Sequence, residues 1–140
     1  MSSPSQSSFY IDWKDLLISD DSLMCKIQRY PKLTSLHVDG CEFITDKSIL
    51  SILDSGKASE LVELDLAMTQ ITDKSLLHVC KMCPKLKKII VSYCSITDES
   101  VVKIAETYPE LVTFIASGCS SLTDVSSCKN RGIVSKVGRN

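Results

Sequence analysis

The chain reads as an α/β solenoid. Strand–turn–helix units stack so that the strands form a parallel sheet on the concave face and the helices line the convex face. Three observations predict this. An apolar spacing at Leu86, Ile89 and Val91 leads to Cys94, then Ile96-Thr97-Asp98, a stripe at Val101, Ile104 and Ala105, and Tyr108-Pro109. The same composite pattern restarts 25 residues downstream at Leu111, and it also starts 25 residues upstream at Leu61. The last two apolar residues of each opening alternate with the period of a strand, whereas the later stripe has the period of a helix. One such unit cannot bury its own apolar faces, so the copies must stack.

The units follow in order. The first emerges when aligned from its end: Ile18-Ser19-Asp20 to Leu33 matches Ile96-Thr97-Asp98 to Leu111 position for position. Counting back from Ile18 places Ile11 and Trp13 at the inward strand positions and Leu16 at the cysteine position. The second unit runs Leu33, Leu36, Val38, Cys41, Ile44-Thr45-Asp46. It is 28 residues long, with the extra length in Asp54-Ser55-Gly56-Lys57, where Gly and Ser mark a tolerant loop. The third has Leu61, Leu64 and Leu66, with Thr69 in the cysteine place, then Ile71-Thr72-Asp73. The fifth has Leu111, Phe114, Ala116, Cys119 and Leu122-Thr123-Asp124. About five repeats therefore fill residues 8–124, starting near 8, 33, 61, 86 and 111. Strands are expected near 9–13, 34–38, 62–66, 87–91 and 112–116. Ser19-Asp20, Thr45-Asp46, Thr72-Asp73 and Thr97-Asp98 read as helix starts, because a Ser, Thr or Asp oxygen accepts the free N–H groups of a first turn and negative charge suits the dipole there. Pro31, Pro84 and Pro109 stop helices.

The ends differ from the body. Residues 1–7 are Ser-rich and uncharged, with neither a signal-peptide core nor an Arg-rich transit helix, and are expected to form a disordered leader. Residues 125–140 carry Lys129, Arg131, Lys136 and Arg139 and no acid. Removing those four charges from the net −1 leaves the remainder at −5. Three readings of this basic tail stand: a solvated end, a contact with an acidic partner, or a cap folded back on the solenoid. No apolar run approaches the roughly 18 residues of a membrane span. The seven cysteines are odd in number and sit mostly at repeat or helix positions, the usage of reduced, buried thiols rather than a disulfide scaffold. A cytoplasmic or nuclear location follows as the expectation.

Candidate sites come from stacking equivalent positions. The outward strand column is expected to run Asp12, His37, Asp65, Ile90, Ile115, with Tyr10, Ser35, Glu63, Lys88, Thr113 on one side and Lys14, Asp39, Ala67, Ser92, Ser117 on the other. Parallel strands lie about 4.8 Å apart, so Asp12, His37 and Asp65 should be neighbours, and two carboxylates favour the charged form of a histidine. Acid–base catalysis, a polar binding contact and a solvated stripe all fit that trio, but the sequence offers no nucleophile and no pocket for catalysis. Ile90 and Ile115, with Tyr93 on the rim, are apolar side chains at outward positions. Such patches mark interaction sites, unless the C-terminal segment with Ile133, Val134 and Val137 covers them. Phe9, Tyr10 and Trp13 crowd a first strand that has no upstream neighbour, as a self-cap or a docking point. His78, Cys80 and Cys83 spell H-x-C-x-x-C, a zinc or redox pattern. The repeat already accounts for both cysteines as helix packing positions, since Cys80 aligns with Ala105 and Cys83 with Tyr30 and Tyr108, so no metal ligand is assigned. The surface lacks the basic stripe with aromatic platforms that nucleic acid requires, and no Gly-rich phosphate loop calls for a cofactor.

L-x-x-L-x-L-x-x-C-x-x-I-T-D followed by a helix resembles the cysteine-containing class of leucine-rich repeats, over roughly residues 8–124. The resemblance implies that Cys41, Cys94 and Cys119 are buried and satisfy backbone groups in the turn. Thr69 offers a hydroxyl for the same role and Leu16 offers nothing. It also implies a non-enzymatic protein-interaction module that binds a protein partner on the concave strand face. The class is typical of substrate-recognition subunits of F-box ubiquitin ligases. With no F-box visible, the chain is similar to the mitotic-exit-antagonist family, and its partner would be a ubiquitination substrate or ligase adaptor. The alternatives are a subunit similar to the mitochondrial ATP synthase coupling factor B family, and a GTPase-activating or other enzymatic regulator. A monomer is expected unless an open solenoid edge self-associates.

Overall fold

The computed structural model describes residues 7–123. The expectations for the leader, Ser7 excepted, and for the basic tail fall outside them. Five three-residue strands, β1 (Ser8–Tyr10), β2 (Ser35–His37), β3 (Glu63–Asp65), β4 (Lys88–Ile90) and β5 (Thr113–Ile115), form one sheet in sequence order. All neighbours are parallel. Helices α1 (Asp20–Ile27), α2 (Asp46–Asp54), α3 (Asp73–Met82) and α4 (Asp98–Thr107) occupy the intervals and pack on one another in the same order. Strands sit about 4.8 Å apart and packed helices 8–10 Å apart, so the strand side is the shorter arc of the stack.

Between the two layers runs one apolar core. The middle residue of every strand, Phe9, Leu36, Leu64, Ile89 and Phe114, points into it, as do Val38, Leu66, Val91 and Ala116 just beyond. Leu23, Ile49, Ile52, Leu76, Val79, Val101 and Ile104 close it from the helices. The strands are shorter than the expected five residues, but inter-unit hydrogen bonds continue past them, from Val38 N–H to Asp65 O (3.0 Å), Leu66 N–H to Ile90 O (2.8 Å) and Val91 N–H to Ile115 O (2.8 Å).

The helices begin at the expected Ser/Thr-Asp pairs. Ser19, Thr45, Thr72 and Thr97 are the N-caps, each accepting a backbone N–H of its own first turn. The aspartate that follows also acts between units. Asp46 accepts from the Thr72 N–H (2.9 Å), the Thr72 hydroxyl (2.6 Å) and the buried Ser75 hydroxyl (2.6 Å) of the next helix start. Asp20 does the same for Thr45 and Ser48, and Asp73 for Thr97 and Ser100. Asp98 continues the series to the N–H and hydroxyl of Thr123. Burial pushes the Asp20 and Asp73 carboxyls up, but the hydroxyl and amide donors outweigh it and leave both below the usual carboxylate range.

Unit two stops its helix differently. Gly56 (φ 83°) follows the Ser55 cap, the left-handed position that glycine fills at helix C-termini. The inserted loop then bonds back, with Lys57 Nζ on the Tyr30 carbonyl at 2.6 Å.

Unit one departs from expectation. Its strand is Ser8–Tyr10, so Phe9 and not Ile11 opposes Leu36, and Tyr10 rather than Asp12 opposes His37. Counting back used the eight residues that separate the middle of β4 from its helix cap, Ile89 to Thr97. Unit one has ten, Phe9 to Ser19, because a 3-10 turn at Trp13–Asp15 takes up two more. Asp12 is its N-cap, accepting the Lys14 N–H at 3.1 Å. Trp13, expected inward, is 77% exposed, and Leu16 is half-buried beside Gly40.

Candidate binding face

The outward side chains form two registered columns. One runs Ser8, Ser35, Glu63, Lys88, Thr113, and the other Tyr10, His37, Asp65, Ile90, Ile115. A third continues past the strands, where Gly40 N–H bonds to Ala67 O, Met68 N–H to Ser92 O and Tyr93 N–H to Ser117 O, each at 2.8 Å. Of the predicted residues, His37, Glu63, Asp65, Lys88, Ile90 and Ile115 therefore share one face, and Tyr93 stands on its rim. Asp12 does not join them, for the reason of register given above.

His37 is the centre of the polar half. The Tyr10 ring stacks on it (centroids 4.3 Å apart, 11° between planes). Its Nε2 lies 3.2 Å from Glu63 Oε1, and its Nδ1 lies 4.0 Å from Asp65 Oδ2. Only 13% of its side chain is exposed, so this is a packed cluster rather than a solvated stripe. Burial raises the Asp65 pKa; the Ala67 N–H lowers it, the Asp39 charge raises it further, and His37 and Lys88 lower it. Among the described residues, the donors grouped closely enough to share a metal ion are His37, Asp39 and Asp65, whose ligand atoms lie within 4.8 Å of one another. Both imidazole nitrogens already face carboxylates, and the group reads equally as a polar cluster without an ion. The apolar half is less open than expected, with Ile90 and Ile115 both half-buried.

H-x-C-x-x-C resolves into packing. His78 Nε2 pairs with Asp54 of the preceding helix at 2.7 Å. Cys83 is fully buried. Burial pushes its thiol up to about 12, away from the thiolate a metal ligand needs. Tyr108, one unit on, sends its hydroxyl to the Val79 and Cys83 carbonyls (3.0 and 2.6 Å) at the end of α3. The expectation of buried thiols is met unevenly, since Cys41, Cys83, Cys94 and Cys119 are buried, Cys80 is half-buried and Cys25 is exposed. In the turns, the Cys94 thiol donates to Leu66 O (3.1 Å) and the Cys119 thiol to Val91 O (3.2 Å). Thr69, in the same repeat position, places its hydroxyl 2.7 Å from Leu66 O.

Tyr93 belongs to a set whose other members, Met68 above all, the sequence reading does not single out. The residue just before the cysteine position is Gly40, Met68, Tyr93 and Gly118 in units two to five, and all four have positive φ, at 88°, 58°, 60° and 74°. Glycine adopts this conformation freely, whereas a side chain there costs about 1–2 kcal/mol. Met68 and Tyr93 accept it and are 49% and 61% exposed. With Gly40, Glu42, Thr69 and Gln70 they line an open groove of about 430 Å³. Phe43, close in sequence to Glu42, is also exposed. Written in register, the four units show glycine at the two outer copies of this position and a large side chain at the two inner ones.

A leucine-rich-repeat family model matches residues 31–53 and 83–105, which are units two and four from the proline-led turn to the helix. No curated protein matches the chain. No helix among the described residues is long and apolar enough to cross a membrane. Leucine-rich repeats serve generally as surfaces for binding other proteins, and the five-stranded parallel stack carrying these two matches is a leucine-rich-repeat solenoid.

Proposed function

We propose that this chain acts by binding and not by catalysis, receiving a protein partner on its strand face through His37, Glu63, Asp65, Lys88, Ile90, Ile115 and Tyr93. The observation that carries this reading is the register. Side chains from five units stand in columns fixed by backbone hydrogen bonds, polar around His37 and apolar at Ile90 and Ile115. A surface held this rigidly loses little to ordering when it binds. The finer reading is substrate recognition in ubiquitin-dependent regulation. Its support is the likeness of the L-x-x-L-x-L-x-x-C-x-x-I-T-D unit to repeats of that setting.

Affinity capture with the wild-type chain and with an Ile90→Asp, Ile115→Asp variant tests both levels. Circular dichroism should confirm that the variant keeps its fold. The partners are expected to be lost from the variant, and an identical partner set would remove this face from consideration. A captured set without any ubiquitin-ligase component would end the finer reading and leave the binding module standing.

A further inference from the structure

The fold itself does not ask for Met68 or Tyr93. At the same repeat position, units two and five carry Gly40 and Gly118, which take the left-handed backbone without strain. The N–H of each left-handed residue from Gly40 to Tyr93 bonds to the next unit at 2.8 Å, so the stack imposes the conformation whatever the side chain. Two adjacent units nevertheless place a large apolar side chain there and leave about half or more of it in water. Strain retained at exposed positions, where glycine would serve the fold better, is the pattern expected of a surface kept for function. The two residues also flank one groove, of about 430 Å³, within the range of ligand-seating pockets.

The charge beside the groove defines its occupant. Glu42 is the acidic residue in its lining. Asp39, exposed next to Gly40, and Asp65 group their carboxylates with His37 on the adjoining strand face and do not line the groove. The groove thus joins two apolar walls to one acidic residue, Glu42, and opens onto the rim of the strand face.

We infer that Met68 and Tyr93 are the specificity-determining contacts of this chain, seating an apolar side chain of a partner protein segment whose adjacent Lys or Arg faces Glu42. This deepens the protein-binding reading and rests on it. Apolar anchoring in a desolvated pocket supplies affinity, and the flanking charge supplies discrimination.

The test is selection of peptides from a displayed random library on the full-length chain, followed by titration of the enriched peptides. The expected motif is a large apolar residue beside Lys or Arg. Binding should weaken at least ten-fold in Met68→Gly, Tyr93→Gly, while the Tm of Met68→Gly is equal to or above that of the parent. Glu42→Gln should weaken the same peptides several-fold, and more at low salt. Enrichment of acidic peptides, binding that survives the double glycine variant, or a lowered Tm for Met68→Gly would each overturn the inference. Enrichment seen only when Lys129, Arg131, Lys136 and Arg139 are changed to Gln would assign the groove to the chain's own basic segment and also overturn it. If Ile90→Asp, Ile115→Asp abolishes partner capture while the glycine variants do not, the strand-face reading stands and this one fails.

Discussion

Each unit leaves its strand through one turn and enters its helix through another, and the two joints vary very differently. At the helix entrance, Asp20, Asp46, Asp73 and Asp98 make the same pair of bonds to the next unit's threonine, with the backbone contact at 2.9 to 3.0 Å every time. At the strand exit, one left-handed backbone position is occupied by Gly, Met, Tyr and Gly in turn. The entrance joins units through a charged side chain, so its identity is fixed by the geometry of its neighbour. The exit joins them through backbone N–H and carbonyl groups, which any residue supplies. Its side chain is therefore largely released from holding the stack together and free to serve recognition, although the Tyr93 ring also rests against Gly118 of the next unit.

The sharpest way to break this contrast is to remove one entrance aspartate. Asp46→Ala leaves the Thr72 amide, the Thr72 hydroxyl and the fully buried Ser75 hydroxyl without their acceptor. Hydrogen bonds to a charged acceptor contribute about 1.5–3 kcal/mol each and are not additive. A loss of about 3 kcal/mol in denaturant unfolding is expected, and a loss under about 1 kcal/mol would show that the joint is held by packing alone.

Acid probes the same joints without mutation. Burial raises the pKa of Asp20 and of Asp73, but donors from Ser48 and Thr45, and from Ser100 and Thr97, leave each net lowered. Because the folded value lies below the unfolded one, about 3.9, the stabilisation is complete above that pH and is lost as pH falls through the folded value. Stability contributed by these groups should be level from pH 7 to 5 and decline below about 4. Asp73→Asn should be less stable at neutral pH and should show a shallower acid decline. An equal decline in parent and variant would detach it from the joint.

How much of this was legible in sequence follows the same division. Strand register in units two to five could be read directly, because Leu33, Leu61, Leu86 and Leu111 anchor copies whose strand-to-helix spacing varies little. The Thr-Asp helix starts were equally plain. What was not read is that Asp46 and Ser75 meet across units, since a capping pattern is a statement about one helix and the ladder is a property of two. Unit one failed because its spacing is unique: the 3-10 turn capped by Asp12 lengthens it, and with no second copy to compare, counting back slid Trp13 inward and Asp12 beside His37. Tyr10, not a carboxylate, faces His37, so the polar cluster is built from Glu63 and Asp65 with an aromatic lid. Met68 was passed over because alone it reads as an ordinary surface methionine. It acquires meaning only beside Gly40, Tyr93 and Gly118.

The finest test of the contrast lies within the exits. If exits are coupled only through backbone, alanine at Gly40 and at Gly118 should do equal harm, about 1 kcal/mol each for a left-handed non-glycine residue. The structure argues otherwise. A Cβ at Gly40 would lie 3.5 Å from Leu16 Cδ2, an ordinary contact, whereas a Cβ at Gly118 would overlap the ring of Tyr93. Gly118→Ala should therefore be the more destabilising of the two by about 0.5–1 kcal/mol, a coupling typical of residues in contact. That excess should disappear in Tyr93→Gly, Gly118→Ala, where no ring remains to displace. A double-mutant cycle by denaturant unfolding measures it. A surviving excess would place the cost in the backbone of unit five, while its disappearance would show that unit five keeps glycine in order to give the Tyr93 ring its place on the rim.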